Sequence, residues 1–145
     1  LLHDIGSFVS YSNHRSHSYY LIKNAELLGF DQTELGIIAN TALFHHKAFP
    51  RPKEHSEFAE LDKRSRAIVK TLCVLLRIAE SLDRSHRAAI QQASLRAGKN
   101  PQDMVLELTP VRECQLELWE VHTHAAAFAK VFGRELHVKR LKPAS

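Results

Sequence analysis

Near the start of the sequence, in LLHDIG, His3 and Asp4 set an imidazole beside a carboxylate. These are the ligand types of Mn, Fe, Ni, Co or Zn sites, and open sites of that kind, with bound water, hydrolyse phosphoesters. Three more stretches supply similar groups. NHRSHSYYLI carries His14 and His17, LFHHKAFP carries His45 and His46, and LLRIAESLDRSH carries Glu80 and Asp83. Histidine is the unusual count in this composition, at 10 in 145 residues.

Taken singly, each group has an ordinary explanation. An Asp near a helix end caps it, and histidines at a helix C-terminus are favoured by the dipole without any metal. His14 and His17 read alone as a surface pair. Glu80 has Arg77 and Arg84 within one helical turn, so surface ion pairs explain it. The set is more informative than its members. Four separate segments each offer a ligand near a helix end, and a bundle that gathers four such ends builds a metal site.

The elements that must position these groups are mostly helical up to residue 87. Residues 18–28 carry a helical pattern closed by Gly29, a residue suited to the C′ position. Asp31 opens the next helix, with Glu34 three residues on as a capping box. Its apolar residues Leu35, Ile38, Ala39, Ala42 and Leu43 fall on one helical face. FPRPKEH, with Pro50 and Pro52, is an exposed loop. A long helix is expected over 62–86, buried through Ile68, Leu72, Leu75, Leu76, Ala79 and Leu82. Beyond residue 87 the period changes. AIQQASLRAG and DMVLELTP alternate as strands around the turn GKNPQD, a helix follows up to Gly133, and ELHVKRL alternates again. The fold expected is mainly α: an HD-domain-like helical bundle over 1–87 and a small strand–strand–helix–strand α+β lobe over 88–145.

Composition limits the function classes. The chain is 44% hydrophobic and 25% charged with few Gly and Pro, which is globular composition. No apolar run reaches the roughly 20 residues of a membrane helix, so no membrane partner is expected. Cys73 and Cys114 stand in separate contexts and read as reduced thiols of a cytoplasmic protein. A net charge of +4 favours anionic partners. A nucleic-acid binder ranks last, because no basic–aromatic stripe or recognisable motif supports it. The sequence begins without Met, and its single methionine is Met104, so a truncated N-terminus is expected.

The order HDIG, then HS, then HH, then an acidic residue in LLRIAESLD resembles the HD superfamily of metal-dependent phosphohydrolases. More narrowly, LLHDIG, HRSHSYYLIKNAELLGF, ELGIIANTALFHHK, LLRIAESLDRSHR and FAKVFGRELHV together resemble the C-terminal region of the exopolyphosphatase / guanosine pentaphosphate phosphohydrolase (Ppx/GppA) family. The resemblance implies that catalysis resides in an upstream actin-like region with phosphate-binding loops. No Gly-rich phosphate loop occurs here, with five glycines in all. It also implies that this HD-type domain helps bind the polyanion and forms a homodimer. A further upstream ligand histidine of HD enzymes would precede the first residue.

Carried over by motif, His3 and Asp4 are the paired ligands, His17 the second-helix ligand, His45 and His46 the later pair, and Glu80 the last acidic ligand. Glu80 replaces the superfamily's Asp and lengthens the reach by one methylene. The cofactor implied is a divalent metal: Mg, Mn, Fe or Zn. The partners implied are inorganic polyphosphate or guanosine pentaphosphate. Lys47, Arg51, Arg84 and Arg87 flank these motifs and are candidates to hold the polyanion. The alternative is an autonomous HD-type phosphohydrolase.

Overall fold

The computed structural model describes residues 2–46 and 49–142. The chain forms two compact units, Leu1–Cys73 and Val74–Ser145. The division lies inside a helix, upstream of the change in periodicity after residue 87.

The first unit begins with a short 3-10 helix, Ile5–Phe8, followed by α1 (His14–Lys23) and α2 (Gln32–Phe44). Helix α1 starts and ends earlier than the expected 18–28. The side-chain Nδ2 of Asn24 donates to the Tyr20 carbonyl at 2.8 Å and closes the last turn there, leaving Gly29 (φ +90°) in the connecting turn. Helix α2 starts as expected. The Asp31 carboxylate accepts from Glu34 N at 2.8 Å, and Glu34 Oε2 accepts from Asp31 N at 2.9 Å.

Burial on α2 goes well beyond one face. Leu35, Gly36, Ile37, Ala39, Asn40, Thr41, Ala42 and Phe44 are all buried. Two apolar clusters take in Ile37 and Phe44, and Ala39 and Ala42. Ile37, Phe44, Phe58, Val69 and Cys73 pack together with Leu43 and Leu61. Ile22, Ala39 and Ala42 pack with Leu2, Ile5, Tyr19 and Ile38. The second cluster matters for the site, because Leu2 and Ile5 flank His3 and Asp4 and anchor them to α1 and α2.

After the Pro50–Pro52 loop come α3 (Ser56–Ala59) and α4 (Lys63–Ser81). Asp62 secures the start of α4. Its Oδ1 accepts from Arg64 N and Ser65 N and its Oδ2 from the Ser65 hydroxyl, bonds that hold the carboxyl below its ordinary pKa. The buried face of α4 differs from the one expected. Ser65, Val69, Cys73, Val74, Arg77, Ile78 and Ser81 are buried, whereas Ile68, Leu72 and Leu75 are exposed. Counting apolar residues put the stripe on the wrong side of the helix, because Ser65, Arg77 and Ser81 are polar yet face inward. The helix also stops at Ser81 instead of 86. Bonds from Asp83 N to Glu80 O and from Arg84 N to Ser81 O tighten the chain, and His86 and Ala88 have positive φ.

In the second unit β1 (Ile90–Ala97), β2 (Asp103–Pro110) and β3 (Glu135–Arg140) form a sheet of order β1-β2-β3. The β1/β2 pair is antiparallel and the β2/β3 pair parallel. The single helix expected between β2 and β3 is two helices, α5 (Gln115–Thr123) and α6 (Ala125–Phe132), broken at His124. Gly133 ends α6 in the left-handed region at φ +64°. Leu106, Leu108, Cys114, Val121, Phe128 and Leu136 are buried here, and the buried Glu117 accepts from Ser85 N at 3.0 Å. This is a mainly helical chain with a small three-stranded α+β lobe. Cys73 and Cys114 are buried free thiols. Among the described residues no helix is long and apolar enough to cross a membrane.

Candidate metal centre

Asp4 is the hub of the first unit's polar cluster. It precedes the 3-10 helix, and Ser7 donates from its hydroxyl and its backbone N to the Asp4 carbonyl, fixing the turn. One carboxylate oxygen, Oδ2, lies 3.1 Å from His3 Nε2. The other, Oδ1, faces His14 Nε2 at 3.5 Å and His45 Nε2 at 3.7 Å. Oδ1 is itself buried and has no hydrogen-bond partner among the described residues. The His3 and His45 rings meet edge to face, with centroids 5.2 Å apart.

The tautomers follow from the other ring nitrogens. His45 Nδ1 lies 2.6 Å from the Ala42 carbonyl, and His14 Nδ1 lies 3.1 Å from the Tyr11 carbonyl. A carbonyl only accepts, so each Nδ1 carries a proton. His45 is fully buried, and burial lowers its pKa to about 4, so it is neutral at pH 7. The Nε2 lone pair of neutral His45 then faces a carboxylate oxygen, a repulsion that a cation between them would relieve. Backbone carbonyls that orient ligand imidazoles through Nδ1 are the usual support of a metal site. His3, Asp4 and His45 each offer a donor atom, all within 4.8 Å of one another. The donor set therefore fits a divalent cation with nitrogen and oxygen ligands.

The remaining sequence candidates are placed as follows. His17 lies half-buried on α1 with its Cβ over Gly6, and it is the His14 ring that reaches Asp4. His14 opens α1 directly after Asn13, whose left-handed backbone (φ 59°) turns the chain into the helix. Spacing alone did not separate His14 from His17. No signal for the choice was available in the sequence, because the expected helix begins only at residue 18, whereas α1 begins at His14. His46 is exposed, its ring centroid 4.2 Å from that of His45. Glu80 is a half-buried residue of α4 in the second unit. Lys47 lies outside the described residues. Arg51 is exposed and pairs with Glu54 at 2.9 Å, while Arg84 and Arg87 are exposed in the second unit.

Residues 1–125 match the model of the family described as Ppx/GppA phosphatase, domain III. The chain belongs to that family. The match takes in every candidate ligand above, and it ends within α6 of this Ppx/GppA domain III. A stretch of 44 residues is 41% identical to "Guanosine-5'-triphosphate,3'-diphosphate pyrophosphatase" from Pseudoalteromonas translucida (strain TAC 125). That stretch is 30% of this chain and 9% of the relative's length.

Proposed function

We propose that this domain III contributes polyanion binding and homodimerisation to a cytoplasmic phosphatase that removes terminal phosphates from guanosine pentaphosphate or inorganic polyphosphate. The observation that carries this reading is the family match over 1–125. The name of the Pseudoalteromonas relative favours the guanosine substrate. An HD-like bundle is the proposed form of the helical part. The exposed cations Arg51, Arg84 and Arg87, with Lys47, are the proposed contacts to the phosphate chain. A linear polyphosphate carries about one negative charge per phosphate, so its binding releases counterions and weakens steeply with salt, as for nucleic acid.

The proposed metal ligands are His3, Asp4 and His45, with His17, His46 and Glu80 added by resemblance. A divalent cation there would polarise a phosphate oxygen or hold the polyanion's charge. Asp4 supplies the anionic ligand, and His45 supplies a nitrogen already free of its proton at neutral pH.

Direct titration with polyphosphate and with guanosine pentaphosphate tests the binding role. Arg84→Glu should weaken binding and flatten its salt dependence. Unchanged affinity and slope would leave Arg84 as ordinary surface charge. The second reading, autonomous phosphohydrolysis, is favoured by the clustering of His3, Asp4 and His45. Metal-dependent phosphate release by this chain, abolished in Asp4→Ala, would establish it in place of the binding role. The binding-module reading expects no such turnover.

A further inference from the structure

The stretch GRELHV near the C-terminus has no part in the function proposed above, and residues 134–138 lie beyond the family match. They open β3, which pairs in parallel with β2 in a register that sets Asp103 beside Glu135 and Val105 beside His137. Side chains two apart on a strand share a face. Asp103, Glu135 and His137 therefore project from the same side of the sheet, at the start of both strands. The Glu135 N–H donates to the Gln102 carbonyl at 2.8 Å, fixing the place where β3 joins.

The three side chains converge. His137 Nε2 lies 3.2 Å from Asp103 Oδ1 and 3.9 Å from Glu135 Oε2, and all three donor atoms lie within 4.8 Å of one another. Tetrahedral zinc bonds of about 2.0–2.2 Å set their ligands roughly 3.3–3.6 Å apart. The two measured separations bracket that range. Asp103 is also oriented in advance. Asn100 Nδ2 donates to its Oδ2 at 2.9 Å, which turns Oδ1 toward His137. That bond and the one to His137 hold the Asp103 carboxyl below its ordinary pKa, so it is an anionic ligand at neutral pH.

We propose that Asp103, Glu135 and His137 form a second divalent transition-metal site, of the Zn²⁺ class, clamping the starts of β2 and β3. One imidazole and two carboxylates leave at least one coordination position to solvent, so the site is open and its metal exchanges.

Equilibrium dialysis of the protein against Zn²⁺ at neutral pH tests this. Wild type should bind one more equivalent than His137→Gln or Asp103→Asn, and these near-isosteric substitutions at an exposed and a half-buried position should leave the circular dichroism unchanged. Asp4→Asn should keep the sheet equivalent. If Zn²⁺ is lost only in Asp4→Asn, this inference fails and the first-unit centre stands. Loss only in His137→Gln upholds this inference and removes the first-unit centre. A measurement independent of any variant is paramagnetic Co²⁺ added to wild type. Selective broadening of the His137 ring resonances is expected, and their persistence at saturating Co²⁺ would overturn the site.

Discussion

His45 Nε2 stands 3.7 Å from Asp4 Oδ1 while His45 Nδ1 donates to the Ala42 carbonyl at 2.6 Å. The chain thus buries an uncharged imidazole against a carboxylate, with the nitrogen lone pair facing the oxygen. Burial keeps the ring neutral although the carboxylate alone would favour a proton on it, and a metal cation between the two would gain from both groups. Its consequences can be measured without any substrate.

In metal-free protein, His45 makes stability depend on acid. Its pKa falls from the ordinary 6.5 to about 4 in the folded state, chiefly through burial. Above pH 6.5 the ring is neutral in both folded and unfolded chains and exacts no penalty. Between pH 6.5 and about 4 the unfolded chain takes up a proton that the folded chain refuses, so stability falls as pH falls, by a loss on the order of 3 kcal/mol. Urea melts in chelator across that range should show the decline, and His45→Gln should flatten it.

Divalent metal should stabilise the first unit by mass action. A ligand at 100 times its Kd adds about 2.7 kcal/mol. Thermal melts with Mn²⁺ or Zn²⁺ should rise in wild type, and the rise should shrink in Asp4→Asn, which keeps the shape but halves the donor character of the carboxylate. An equal rise in both proteins would remove Asp4 from the ligand set.

Gly6 holds the Asp4 turn against α1. Its N–H donates to Ser18 Oγ at 2.9 Å, and an added Cβ would collide with the His14 carbonyl and Ser18 N. Both obstacles are backbone or buried, so neither can yield cheaply. Gly6→Ala should cost at least the roughly 1–3 kcal/mol of an overpacked core. It should also weaken metal binding by moving Asp4 away from His14, although no ligand is changed. Isothermal titration with Zn²⁺ alongside denaturant melts would separate the two effects.

Phe58 anchors the short α3 among Ile37, Phe44, Val69 and Cys73 and is fully buried. Phe58→Ala should destabilise by about 3–5 kcal/mol through lost transfer energy and the cavity left behind. Chemical denaturation would read it. A cost below about 1 kcal/mol would mean that the cluster collapses around the gap.

The sequence by itself determined the local features. The capping box at Asp31 and Glu34, the Pro50–Pro52 loop (though not the burial of Pro50 within it), the two alternating strands and the Gly133 terminator each depend on residues a few positions apart, and such signals survive without tertiary context. The His-Asp pair and the later histidines were legible as ligand types. Tertiary structure decided which of them meet. His14 reaches Asp4 because the 3-10 helix closes onto α1 through Gly6 and Ser18, a contact across twelve residues that no periodicity encodes. The inward face of α4 was decided in the same way, since polar Ser65, Arg77 and Ser81 are buried and apolar Ile68, Leu72 and Leu75 are not. The parallel pairing of β3 with β2 depends on the α5–α6 crossover. That crossover brings Glu135 and His137 beside Asp103 from more than thirty residues away. Side-chain type is written locally, but proximity belongs to packing, because a donor's partners are fixed only when distant elements bury their apolar surfaces against one another.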